Sequence, residues 1–186
     1  MLLTRPFMKE TSLNILRQKA AKIKWFFSDI DGTLTDGGVY YSPEGERLKR
    51  FSLRDGTGYF LLRQSGIKTG FVTTENSPIV EQRAIKLKID KYIFGTHRKV
   101  EAMREFLASE GLTMENVAYI GDELNDIKLL ETCGLSFAVG DADHRAKDVA
   151  DIVCECFGGH GAFREAVEKL LEIKGISIDE IVNKAL

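Results

Sequence analysis

Two aspartates, Asp29 and Asp31, stand one residue apart where an apolar run ends, in the stretch Trp25 to Gly38, WFFSDIDGTLTDGG. A carboxylate at the end of a buried strand is costly when it is desolvated and unpaired, so the pair needs a partner of opposite charge. Further along, Thr73 and Thr74 close a second apolar run, and Lys99 follows closely on a third. Asp122 closes a fourth, with Glu123, Asn125 and Asp126 just behind it. Carboxylates converging on one spot repel each other unless a cation sits among them. Hard oxygen donors suit Mg2+, which keeps several waters and accepts a substrate phosphate as a ligand. The offset of two lets Asp29 and Asp31 differ in role, one against the metal and one reaching past it, as a nucleophile and a general acid/base would. Lys99 and Thr73 would then bind the oxygens of a transferring phosphoryl group.

Each residue also has a plain structural reading. Asp29 and Asp31 fit a turn and an Asx cap before Gly32, Thr73 a strand residue, Lys99 a solvated helix residue, and Asp122 the N-cap of a helix starting near Asn125. Order and joint placement at strand ends favour phosphotransfer over that set. Glu123, Asn125 and Asp126 also suit a helix N-terminus.

The elements that must position these residues alternate. KWFFSD, TGFVTT, KYIFG, NVAYIGD, LSFAVG and DIVCE read as short strands. GYFLLRQSG, SPIVEQRAIKLKI, HRKVEAMREFLASEG, NDIKLLETCG, DHRAKDVA and a closing segment from Gly161 to about Leu171 read as helices. That rhythm predicts right-handed βαβ units and an α/β, doubly wound parallel sheet covered on both faces. In such a sheet ligands bind outside the carboxyl ends of the strands. Ser77 before Pro78 reads as a helix start, while Gly66, Gly111 and Gly134 sit where helices end. DGGVYYSPEGERLKRFSLRDG departs from the rhythm and reads as a hairpin inserted after the first strand. Residues 1–23 are expected to form a lead-in helix, with Leu13, Leu16 and Ala20 on one side, and residues 24–186 the one remaining domain.

Composition narrows the partners. The 186 residues, 44% of them hydrophobic, suffice for one well-packed domain. Twenty-six Lys and Arg nearly balance 28 Asp and Glu without long blocks of either sign, so no nucleic acid or membrane partner is expected and a small ligand is. No run approaches a secretory signal or a membrane span, which points to the cytoplasm. Cys133, Cys154 and Cys156 lack metal-site spacing and read as buried thiols in a reducing compartment, the last two sharing one strand face.

The set DIDGT, a threonine at a second strand end, a lysine, and GDELND resembles the four motifs of the haloacid dehalogenase superfamily, over residues 24 to about 165. The resemblance implies a Rossmann-like fold and an aspartyl-phosphate on Asp29. It makes Asp31 an acid/base that also lends its main-chain carbonyl to Mg2+. Asp29, Asp31 and Asp122 would be the metal ligands, Thr73 and Lys99 the phosphate holders, Gly32 part of the phosphate loop, and Asp126 the residue that orients Lys99, with Asn125 in support. Members often carry a cap domain, either after the first strand or before the motif lysine. Here the first slot holds only the hairpin and the second, FGTHR, almost nothing. Protection of a phosphoaspartate from stray water then falls to a neighbouring subunit, which implies a homo-oligomer, a tetramer.

A capless architecture resembles the 3-deoxy-manno-octulosonate 8-phosphate and nonulosonate 9-phosphate phosphatases, through TDGGVYYSPEGERLKRFSLRDGTG and GGHGAFRE, the latter implied to enter a neighbour's active site. Substrates would be phosphorylated 2-keto-3-deoxy sugar acids, with Arg83 a candidate for the carboxylate. Thr74-Glu75 stands where octulosonate members usually have Gly-Arg, Lys86 also resembles the nonulosonate branch, and His160 replaces the usual arginine of GGRGA. These departures favour a nine-carbon substrate. Two rival classes are a capped phosphomutase or phosphonatase and a non-catalytic assembly module like the C-terminal domain of some CMP-sialic acid synthetases. The missing cap argues against the first, and the complete aspartate set against the second.

Overall fold

The computed structural model describes residues 10–185, with side chains from residue 13, and residues 1–9 of the expected lead-in segment lie outside it. The central strand, β1 (Trp25–Ser28), is WFFS and buried at all four positions. Strands buried on both faces read as continuous apolar runs, and this one pairs in parallel on both edges. β4 (Lys68–Val72) lies on one side of it and β6 (Val117–Gly121) on the other. β5 (Lys91–Ile93) extends the first side, and β7 (Leu135–Ala138) and β8 (Ile152–Val153) the second. The six-stranded sheet thus has the order β5-β4-β1-β6-β7-β8, with β1 and β6 flanking the point where the winding reverses. Gly70 in β4 makes the central pairing fit, because a Cβ there would lie 2.0 Å from the Phe27 ring.

Helices cover both faces as expected. α1 (Glu10–Lys22), α2 (Leu53–Gln64), α3 (Pro78–Leu87), α4 (Lys99–Ser109), α5 (Ile127–Thr132), α6 (His144–Val149) and α7 (Ala162–Ile173) account for the helical patterns. Leu16 and Ala20 of α1 enter the core, and Leu13 is half-buried. Aromatic rings knit the layers: Tyr59 of α2 stacks on Phe163 of α7 at 4.1 Å, and its hydroxyl lies 2.9 Å from Ser28 Oγ at the end of β1. The inserted hairpin is present as β2 (Tyr40–Ser42) and β3 (Gly45–Leu48), a separate antiparallel pair.

Four details differ from the sequence reading. Gly134 is not a left-handed helix cap; a Cβ there would lie 2.2 Å from the Glu115 carbonyl oxygen, so it is a point of backbone contact. Ser77 does precede Pro78 at the start of α3, but its side chain makes no capping bond. Cys154 and Cys156 share no strand face, because β8 stops at Val153, leaving Cys154 buried and Cys156 exposed. A further helix, α8 (Ile178–Ala185), follows α7 and seats Ile181 in the core. No helix among the described residues is long and apolar enough to cross a membrane.

Candidate active site

The carboxyl ends of β1, β4 and β6 deliver Asp29, Thr73 and Asp122 to one rim, and the first turn of α4 brings Lys99 in from the side. Lys99 is 2% exposed, and its Nζ lies 3.0 Å from Asp29 Oδ1 and 2.6 Å from Asp126 Oδ1. It is therefore no solvated helix residue. Burial alone would pull its pKa down, but Asp29 and Asp126 outweigh that and raise it, so it stays an ammonium.

Asp126 sits in a short 3-10 turn, Leu124–Asp126, and is wholly buried. Its Oδ1 accepts from Lys99 and, at 2.5 Å, from the Tyr119 hydroxyl, while its Oδ2 accepts from the main-chain N–H groups of Asp122 and Glu123. Both oxygens are committed, which makes Asp126 the brace of Lys99 and of the loop after β6. Gly121 leaves room for this, since a Cβ there would lie 2.5 Å from Asp126 Oδ2.

Asp122 reaches across to the first loop, where its Oδ1 accepts from Thr33 Oγ1 at 2.7 Å. Its Oδ2 packs on Gly32, whose φ is +84° and whose Cβ, if present, would lie 2.0 Å away. Only glycine allows that approach and that backbone. Burial pushes the Asp122 carboxyl up to about 7, helped by Asp126 and Glu123 and opposed by Thr33 and Lys99. Burial likewise raises Asp29 well above the carboxylate range, with Asp126 and Asp122 pushing the same way against Lys99.

Asp29, Asp122 and Asp126 each offer an oxygen within 4.8 Å of the others. Because Asp126 is saturated by four donors, the pair left for an ion is Asp29 and Asp122. Two carboxylates whose pKa values are raised chiefly by burial, with oxygen as the only donor type, fit a hard divalent cation. The Asp31 carboxylate is elsewhere: its Oδ1 pairs with Lys49 at 2.6 Å, so any share it takes in metal binding goes through its main chain.

Thr73 is buried, and its Oγ1 accepts from the Glu75 N–H at 3.1 Å, which leaves its hydroxyl proton to donate. Thr74 is half-buried, while Glu75, Lys86 and Asn125 are exposed. Arg83 turns toward the start of α2: Nη2 donates to the Ser52 carbonyl at 3.0 Å and the guanidinium lies over the Phe51 ring. No contact among the described residues joins it to Asp29 or Lys99. The GGHGA segment packs on the loop that follows β1, with His160 exposed. The Gly159 N–H donates to the Thr33 carbonyl, and Arg50 donates to the Gly159 carbonyl and lies 3.4 Å from His160 Nε2. Sequence reasoning missed Thr33, Lys49 and Tyr119 as site residues. Thr33 carried a signal in the DGT triplet, whereas Tyr119 looked like one more apolar strand position. A surface hollow beside Leu107 and Met114 is lined by none of these residues.

Residues 64–162 match the haloacid dehalogenase-like hydrolase family. The chain is 38% identical over 162 residues to the 3-deoxy-D-manno-octulosonate 8-phosphate phosphatase of Haemophilus influenzae, covering 87% of this chain and 90% of that one. It is 37% identical over 168 residues to the Escherichia coli K12 enzyme of the same name, covering 90% and 89%. Among solved structures, that of the Moraxella catarrhalis phosphatase with magnesium, phosphate and KDO superposes with a TM-score of 0.87 at 34% identity, over 93% of this chain and 99% of that one. The cobalt-bound form of the Haemophilus influenzae enzyme superposes with a TM-score of 0.81 at 38% identity, over 85% and 92%.

Proposed function

The chain belongs to the haloacid dehalogenase-like hydrolases and is a phosphoric monoester hydrolase; from that premise we propose that it removes phosphate from a phosphorylated 2-keto-3-deoxy sugar acid by way of Asp29. The observation that carries the reading is the Lys99 bridge, an ammonium held 3.0 Å from Asp29 and braced by Asp126. It fixes the nucleophile and puts a positive charge where phosphate oxygens must sit.

Asp29 attacks phosphorus with the oxygen that does not face Lys99, and the bond from phosphorus to the sugar oxygen breaks. Asp31 gives its proton to that departing oxygen, so the sugar acid leaves as a neutral alcohol at that carbon. Asp31, now a carboxylate, takes a proton from a water whose oxygen attacks phosphorus, which frees inorganic phosphate and restores Asp29. Lys99 and the Thr73 hydroxyl hold the phosphoryl oxygens through both steps, with the Gly32 loop closing beneath them. Mg2+, held by Asp29, Asp122 and the Asp31 carbonyl, would supply charge neutralisation of the phosphoryl group.

For the substrate, the two named relatives above favour 3-deoxy-D-manno-octulosonate 8-phosphate over the nine-carbon acids. Glu75 favours the second reading, a nonulosonate 9-phosphate, because a carboxylate at this exposed strand end would repel the acid group of a shorter substrate while accepting from hydroxyls of a longer one. Thr74, Arg83 and Lys86 would line the same approach, Arg83 after turning away from Ser52. A Mg2+-dependent phosphate-release assay with both esters tests this; a preference for the nine-carbon ester would overturn the octulosonate assignment, and release from neither would overturn the sugar-acid class.

A homotetramer in the cytoplasm completes the reading. Tyr40, Tyr41 and Leu48 of the hairpin and Leu53 beside it are each more than half exposed, an apolar surface that a neighbouring subunit would cover while closing the site. Sedimentation of the purified protein checks this, and a monomer at all concentrations would remove it.

A further inference from the structure

The hairpin carries three basic residues close together, and the fold sorts them. Arg47 pairs with Glu44 at the surface, and Arg50 holds Asp36 and the Gly159 carbonyl. Lys49 alone turns inward. Its side chain is 1% exposed, with Nζ 2.6 Å from Asp31 Oδ1 and 3.4 Å from Glu46 Oε1. Asp31 Oδ2 is also buried and has no hydrogen-bond partner. An unpartnered buried carboxylate oxygen is costly unless some other molecule fills the place.

We propose that Lys49 is a positioning residue for the phosphatase reaction: by anchoring Asp31 Oδ1 from the hairpin, it aims the bare Oδ2 at the departing sugar oxygen. One side chain of the insertion thereby reaches the chemistry of the sheet edge. Oδ2 becomes the atom that carries the proton to the leaving group, and Lys49 itself touches neither substrate nor phosphate.

The inference rests on the acid/base role of Asp31 proposed above, and a leaving-group comparison separates the two. A sugar alkoxide needs a proton to depart, whereas p-nitrophenolate departs without one. The comparison uses kcat/KM, which stops at departure of the leaving group and omits breakdown of the phosphoenzyme. Lys49→Met should lower kcat/KM for octulosonate 8-phosphate by about 10- to 100-fold, less than the roughly 100- to 10,000-fold of a general acid lost outright. For p-nitrophenyl phosphate it should stay within about threefold, with the half-saturating Mg2+ concentration unchanged. Lys49→Arg keeps a cation at the hairpin and should show a smaller loss with the same ester selectivity. Equal losses on both esters, in either variant, would mean a merely structural lysine and overturn the proposal, as would no loss on the sugar ester. A parent enzyme inactive on both esters would instead overturn the phosphatase reading.

Discussion

Among the glycines of the described residues, Gly158 has the least room for a side chain. A Cβ built on it would lie 1.7 Å from the Gly32 carbonyl oxygen and 3.2 Å from that of Thr35. Real Cβ contacts stop near 3.0 Å, so Gly158→Ala forces the two loops apart by at least about 1.3 Å, and neither side is a flexible side-chain end. The Gly158 N–H is tied to Asp141 Oδ1, and the next residue donates to the Thr33 carbonyl, which leaves the segment little freedom to retreat. Overpacking of this kind costs about 1–3 kcal/mol, a melting temperature roughly 2–12 °C lower for a chain of this size. The Gly32 loop sits between Asp31 and the Asp122 contact, and a displacement near 1 Å at a reacting centre costs about 100-fold in rate. Gly66→Ala is the comparison: its φ of +72° brings strain of about 1–2 kcal/mol, but a Cβ there meets open space far from the site. Thermal melts followed by circular dichroism and kcat/KM with a phosphate ester read both effects. The reasoning fails if Gly158→Ala melts and turns over like the parent, or if Gly66→Ala loses activity to the same degree.

Replacing Asp126 by Asn strips the charge that balances Lys99 and accepts from the Tyr119 hydroxyl; breaking a buried pair costs about 3–5 kcal/mol, so denaturant unfolding should show a loss of that order. Asp31→Asn removes the proton donor and should cut turnover of an alkyl phosphate by about 100- to 10,000-fold, measured by phosphate release, while weakening the Lys49 pair and so lowering the melt. Without metal, Asp29 and Asp122 have folded pKa values above their unfolded ones, Asp122 at about 7. The folded state therefore binds more protons between about pH 4 and 7, and its stability is full below that window and falls as pH rises through it, by on the order of a few kcal/mol. Saturating Mg2+ should flatten the fall, and melts with EDTA that are level from pH 4 to 7 would contradict the assigned carboxylates.

The sheet and the motif residues could be read from the chain because β1, β4 and β6 are apolar runs that each end at a polar residue with chemical use. The pairing of Lys99 with Asp126, 27 residues apart, followed from motif order. Close approaches of main chain were hidden, since glycine at 32, 134 or 158 looks the same in sequence whether it serves a turn or a contact. Gly134 was misread for that reason. Lys49 was hidden differently: GERLKRF holds three cations and two apolar residues, as a solvated hairpin arm can, and only the fold shows which of those cations turns inward. Tyr119 could not be told from its apolar strand neighbours, because its hydroxyl finds Asp126 only when the turn after β6 folds back. Arg83 was chosen by helix position, and its guanidinium lies instead on Phe51 and the Ser52 carbonyl.

Phosphorylation of Asp29 is the claim on which the rest depends, and acid-quenched protein taken during turnover, digested and analysed by mass spectrometry, tests it directly. An acyl phosphate at Asp29, absent from the Asp29→Asn protein and from samples without Mg2+, is the predicted result. Phosphate carried by another residue, or phosphate release by Asp29→Asn at the parent rate, would contradict it.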